Sequence, residues 1–176
     1  MKSKTNTQNK FSNDWIRSLA SSHRDKKLET CIEKITEILA HEGSNSSNTG
    51  FSSEEGLYLD RYMQICSRGN RSQTKPSVDI VVVTHKNLVT MIEAKLNATT
   101  LQSIKRKDLY DKLLATKGII NDCAYSHVIN NKSFVLLSDK NFQQSYSKLR
   151  RLLNNDPHII PWQVSDFLDF VRNNKE

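Results

Sequence analysis

Two apolar runs, joined by a short polar turn, most constrain what this chain can fold into. The first is Val78-Asp79-Ile80-Val81-Val82-Val83. The second is Leu88-Val89-Thr90-Met91-Ile92-Glu93-Ala94-Lys95. Together they read as a β-hairpin. Ile80 and Val82 point one way, with Ile92 and Ala94 across from them; Val81 and Val83 point the other way, with Val89 and Met91. A hairpin apolar on both faces lies in the middle of a domain, covered on each side. Its open end carries an aspartate, a glutamate and a lysine. Charges in such a place are costly unless they are paired or hold a ligand.

The turn decides how these charges meet. With a three-residue turn, His85-Lys86-Asn87, Thr84 faces Leu88 and Asp79 faces Glu93. Side chains of such a pair share a face, with Cβ atoms about 4.5–5.5 Å apart. Lys95, two residues past Glu93, shares that face as well. A two-residue turn would shift the register and send Asp79 to the other side. Two facing carboxylates repel unless a cation or a proton sits between them. An oxygen-loving divalent ion such as Mg²⁺ fits that need. The competing reading is a lysine–carboxylate pair at a sheet end, neutralised without metal.

Asp79 followed by Glu93-Ala94-Lys95 resembles the PD-(D/E)xK nuclease superfamily, which has the restriction-endonuclease-like fold. The family's proline is absent, since Val78 precedes Asp79 and the nearest proline is Pro76. The resemblance spans roughly residues 28 to 172 through the order of elements. It implies an α/β domain: a central mixed sheet with an antiparallel hairpin, flanked by helices on both faces. It also implies that Asp79 and Glu93, helped by the Ala94 carbonyl, hold Mg²⁺, for which Mn²⁺ can substitute. Lys95 would orient or deprotonate a water and offset the charge developing on phosphate. Many members add a glutamate from the first helix. Glu29 is favoured for that role, then Glu33, because Glu37 lies nearly opposite the apolar face. Glu54 and Glu55 stay in play if their segment is helical.

The remaining elements follow from periodicity and caps. Residues 1–13 read as a disordered polar arm, and 14–176 as a single domain. A short helix is expected over Asp14 to Ser21. Leu28, Cys31, Ile32, Ile35, Ile38 and Leu39 predict one amphipathic helix over Lys27 to His41. Phe51 to Cys66 is ambiguous: Leu57, Leu59, Met63 and Ile65 suit a strand, whereas Phe51-Ser52-Ser53-Glu54-Glu55 suits a helix start. A strand from about Gly56 to Cys66 is the expectation, tilted by the resemblance. A helix capped by Thr99 or Thr100 should run to about Thr116, followed by a buried strand over Ser133 to Ser138. A helix over Phe142 to Leu153, a strand over His158 to Trp162 and a Ser165-capped helix complete the order.

Charge points to the partner. The 176 residues carry 26 Lys+Arg against 19 Asp+Glu, a net +7 that suits a polyanion. Lys105, Arg106 and Lys107 follow the E-x-K strand closely, and Arg68 and Arg71 lie in a basic loop. All five are candidates for phosphate contact. Three scattered cysteines fit free thiols better than a disulfide or zinc framework. With no apolar run of membrane-spanning length, they lead to the expectation of an intracellular protein with no membrane partner. The expected function is metal-dependent hydrolysis of phosphodiester bonds in DNA, in restriction, repair, recombination or a mobile element. RNA is an open alternative substrate. The second reading is a catalytically silent nucleic-acid-binding or protein-interaction module on the same fold. A third is a structure-specific enzyme that works as a homodimer.

Overall fold

The computed structural model describes residues 11–44, 49–67, 76–97, 104–140 and 142–173. Residues 1–10 of the expected arm fall outside these ranges. Ser12 accepts a hydrogen bond from the Asp14 N–H and so caps α1 (Asn13–Ser21), and Phe11 packs edge-on against Trp15. The domain therefore begins a little before the expected boundary.

Among the described residues, seven strands form one mixed sheet. They are β1 (Ile32–Lys34), β2 (Glu55–Tyr58), β3 (Ile80–Thr84), β4 (Leu88–Lys95), β5 (Val128–Ile129), β6 (Ser133–Leu137) and β7 (Ile159–Trp162). The order is β1-β2-β3-β4-β6-β7, with β5 pairing the start of β4. Strands β1 to β4 pair antiparallel with one another; β5 and β6 run parallel to β4, and β7 parallel to β6. Parallel neighbours need a crossover. The helix α4 (Arg106–Asn121) links β4 to the β5–β6 segment, and α5 (Phe142–Leu152) links β6 to β7. The α/β architecture with a central mixed sheet is as expected.

The hairpin has the expected register. Thr84 pairs with Leu88, Val82 with Thr90 and Ile80 with Ile92. The turn is the 3₁₀ segment His85–Asn87, closed by Asn87 at φ +58°, a left-handed conformation that asparagine tolerates. The Tyr125 hydroxyl donates to Asn87 Oδ1 at 2.6 Å and holds the turn.

Both faces of the sheet are covered. Val81, Val83, Val89, Met91, Val135 and Leu137 pack with α1, α3 (Leu59–Ser67), α4 and α5. Ile80, Val82, Ile92, Phe134 and Leu136 pack with α2 (Ile35–His41) and α6 (Val164–Asn173). Every residue of β3 and β6 is buried.

Four expectations are corrected. The single helix over Lys27 to His41 is instead a 3₁₀ segment (Lys26–Cys31), the edge strand β1, and α2. Leu28 and Cys31 belong to one core layer; Ile35, Ile38 and Leu39 belong to the other. The chain crosses the sheet edge between them, so one apolar stripe serves two faces. The strand expected over Gly56 to Cys66 ends at Tyr58, and the rest is α3. The helix after the hairpin begins at Arg106 and runs on to Asn121, past Thr116; Thr99 and Thr100 lie outside the described residues. The last helix starts at Val164, where Asp166 accepts from the Gln163 N–H. Ser165 therefore lies inside it.

Candidate functional site

Continuing the hairpin register one step past Ile80 and Ile92 sets Asp79 opposite Glu93. Both are buried, at 2 % and 3 % exposure. Asp79 Oδ2 accepts the Ala94 N–H at 2.6 Å. Lys95 stands two residues on, on the same face, with Nζ 2.5 Å from Glu93 Oε1. The structure thus brings together Asp79, Glu93, Ala94 and Lys95.

Three further side chains enter from outside the hairpin. The β2–β3 register pairs Tyr58 with Ile80, and the Leu59 N–H donates to the Asp79 carbonyl at 3.1 Å. The chain turns into α3 at that point, which delivers Asp60 beside Asp79. Glu42, the residue after α2, arrives from the opposite layer and accepts from the Tyr58 hydroxyl at 3.3 Å. Single carboxylate oxygens of Glu42, Asp60 and Asp79 lie within 4.8 Å of one another. The third newcomer is Lys112. The helix α4 lies over the same sheet face through Leu109, Leu113 and Ile120. From its flank Lys112 places Nζ 2.7 Å from Glu93 Oε1 and 3.7 Å from Asp79 Oδ1.

The electrostatics follow from burial. Asp79 is held well above the ordinary carboxylate range by burial and by the Glu93 charge, partly offset by Lys112. Burial also raises Glu42, with Asp60 adding to the effect. Asp60 is raised by burial too, with Lys112 opposing. Burial alone would lower Lys112, yet the Glu93 and Asp79 charges outweigh it and keep the ammonium protonated. The second oxygen of Glu93, Oε2, is buried and accepts no hydrogen bond from the described residues. Orphaned buried acceptors of this kind are rare and costly. Four carboxylates and two ammonium groups meet here, which leaves two negative charges when all are ionised. The donors are all hard oxygens. This set fits a divalent, Mg²⁺-like ion.

Glu29 lies elsewhere. It sits in the 3₁₀ segment, pairs with Lys26 at 3.3 Å and borders a groove with Arg17 and Glu55. Glu33 is held by Arg61 and lies 3.8 Å from His41. The helical reasoning that favoured these two assumed an unbroken helix, and the break at β1 removes it. Glu42, the acid that does reach Asp79, follows the last turn of the same segment. Glu54 is bound by Arg172 and by the Ser52 and Ser53 N–H groups, and Glu55 by Arg17.

Of the basic candidates, Arg68 and Arg71 lie outside the described residues. Lys105, Arg106 and Lys107 are exposed at the start of α4, with the Arg106 guanidinium 5.4 Å from the centre of the Tyr110 ring. Cations at a helix N-terminus oppose the helix dipole. Local helix stability therefore gives no reason for three of them. Lys105 is seven residues before Lys112, on nearly the same side of the helix and about 10 Å along its axis. The basic end and the acidic cluster are thus two ends of one short track.

Cys31 and Cys123 are buried free thiols, and Cys66 is exposed and free. No helix among the described residues is long and apolar enough to cross a membrane. Neither a family model, nor a curated protein, nor a solved structure matches the chain.

Proposed function

We propose that this protein is a metal-dependent endonuclease that hydrolyses phosphodiester bonds in DNA, on a fold of the restriction-endonuclease type. One observation carries the reading. Asp79 and the Glu93-Ala94-Lys95 run meet at the open end of a central hairpin, where Asp79 also clusters with Glu42 and Asp60 and one buried oxygen of Glu93 has no hydrogen-bond partner among the described residues. The run from β2 through the β3–β4 hairpin, a crossover helix and a parallel strand supports the same reading; the insertion of α3 between β2 and β3 departs from it.

Asp79 and Glu93 would hold the ion, with Ala94 supplying its carbonyl and Glu42 and Asp60 completing the oxygen set. A bound Mg²⁺ would supply an activated water and positive charge against the phosphate oxygens. The chain's own residues do the rest. The Ala94 N–H fixes one oxygen of Asp79 and so orients its carboxylate. Lys95, anchored on Glu93 and partly exposed, presents an ammonium where a phosphate would gather charge. A lysine suits this as a compact point charge. The exposed start of α4 would take flanking phosphates.

The direct test uses supercoiled plasmid and branched DNA, with RNA in parallel, under Mg²⁺, Mn²⁺ or chelator. Nicking or linearisation that requires Mg²⁺ or Mn²⁺ is expected. Binding without cleavage under every ion would favour the silent module instead.

Salt dependence tests the track. If Lys105 and Lys107 each neutralise a phosphate, replacing both by alanine should flatten the plot of log affinity against log salt by about one unit per contact. An unchanged slope would show that these lysines are only solvated.

A further inference from the structure

The Lys112 ammonium lies between Asp79 and Glu93, the two acids proposed to hold a divalent ion. Both lysines touch the same carboxylate oxygen, Glu93 Oε1, Lys95 at 2.5 Å and Lys112 at 2.7 Å. Of the two, Lys112 also approaches Asp79, at 3.7 Å from Oδ1. It bridges the two facing acids, as a metal ion would. A magnesium ion bonds to carboxylate oxygen at about 2.0–2.1 Å. An ion on Glu93 Oε1 would therefore lie less than about 5 Å from this ammonium, in a buried setting that screens their repulsion poorly. Lys112 hangs on a flexible four-carbon stem from the flank of α4, and its side chain is 24 % exposed. It has room to leave toward solvent.

We propose that Lys112 is a built-in counter-ion that plugs the site between Asp79 and Glu93 and is displaced when a divalent ion binds. The inference rests on the proposal that these two acids hold such an ion. In the metal-free protein, Lys112 offsets the repulsion between facing carboxylates. Metal binding is then an exchange of one cation for another, and part of the intrinsic affinity is spent on moving the lysine.

The test is calorimetric titration of Mn²⁺ into wild type, Lys112→Met, Lys112→Arg and Lys95→Met. Lys112→Met should tighten Mn²⁺ binding by about tenfold or more, the scale of one charge-assisted hydrogen bond no longer given up. Lys95→Met removes the same charge from the same oxygen, but its gain should be clearly smaller. Lys112→Arg, which keeps the charge, should give no gain. Thermal melts supply a second readout. Lys112→Met should melt below wild type in chelator and recover that deficit in saturating Mn²⁺. If it is too unstable without metal, it is purified in Mn²⁺ and the melts across Mn²⁺ concentrations are compared. Equal gains from Lys112→Met and Lys95→Met would mean simple charge removal and would overturn the plug. So would unchanged or weaker binding by Lys112→Met. If wild type and all variants fail to bind Mn²⁺, the metal site itself is wrong.

Discussion

Replacing Lys95 by alanine is expected to slow DNA cleavage by roughly 10²–10³-fold, the usual cost of removing one charge-stabilising donor. The fold should survive. Lys95 ends β4, its side chain is 28 % exposed, and its contact is to a carboxylate rather than to the core. Mn²⁺ affinity should not fall, since the lysine is not a ligand and its charge opposes the ion. DNA affinity should fall little, because the exposed cations of α4 remain. Lys95→Arg should recover only part of the rate, because a guanidinium is broad and planar where the site offers an ammonium. Plasmid nicking under saturating Mg²⁺, with binding measured in Ca²⁺, separates these effects. A Lys95→Ala protein that cuts as fast as wild type would place the active site elsewhere.

The hairpin was legible in the sequence because its information is local. Strand periodicity assigns each side chain to a face, and a three-residue turn with asparagine in its last position sets the register. Asp79, Glu93, Ala94 and Lys95 then fall together without reference to the rest of the chain. Glu42, Asp60 and Lys112 were missed for one shared reason: each is delivered by an element whose placement depends on tertiary packing. Asp60 was hidden by reading its segment as strand. Leu57 and Leu59 alternate, but Leu59 already belongs to the helix, and its N–H is satisfied by Asp79. The helix-start pattern at Phe51 to Glu55 was a real competing signal, displaced by a few residues. Glu42 falls one residue past the helix end expected at His41, so helical spacing assigns it to no face.

Lys112 had a weak signal. It is flanked by Leu109 and Leu113, which share the buried face of the helix after the E-x-K strand. A lysine at the margin of an apolar face, on a helix beside two facing acids, can reach them with its long stem. The division of Leu28 through Leu39 between two core layers left no such trace. Spacing of that kind serves one continuous helix equally well, and only the sheet edge at β1 separates the two outcomes.

Changing Asp79 to asparagine is expected to move stability and function in opposite directions. The substitution keeps the volume and an oxygen that can accept the Ala94 N–H. It removes a charge that burial and Glu93 disfavour in the folded protein. Lys112 loses its longer contact, at 3.7 Å, and keeps the shorter one to Glu93 at 2.7 Å. Without divalent ions the variant should therefore gain about 1 kcal/mol, a rise in Tm of about 2–4 °C for a chain of this length. Mn²⁺ binding should weaken by more than about tenfold, and cleavage should drop by at least roughly 10²-fold. Stability held down by a functional charge cluster is a recurrent trade-off. Asp79→Ala is the contrast: it also removes the acceptor, leaves the Ala94 N–H without its partner and should lose the gain. Melting curves in chelator and in Mn²⁺, the Mn²⁺ titration and plasmid nicking read the three quantities on one preparation. If Asp79→Asn melts lower than wild type in chelator yet binds Mn²⁺ as well, Asp79 serves as the structural partner of Lys112 rather than as a ligand.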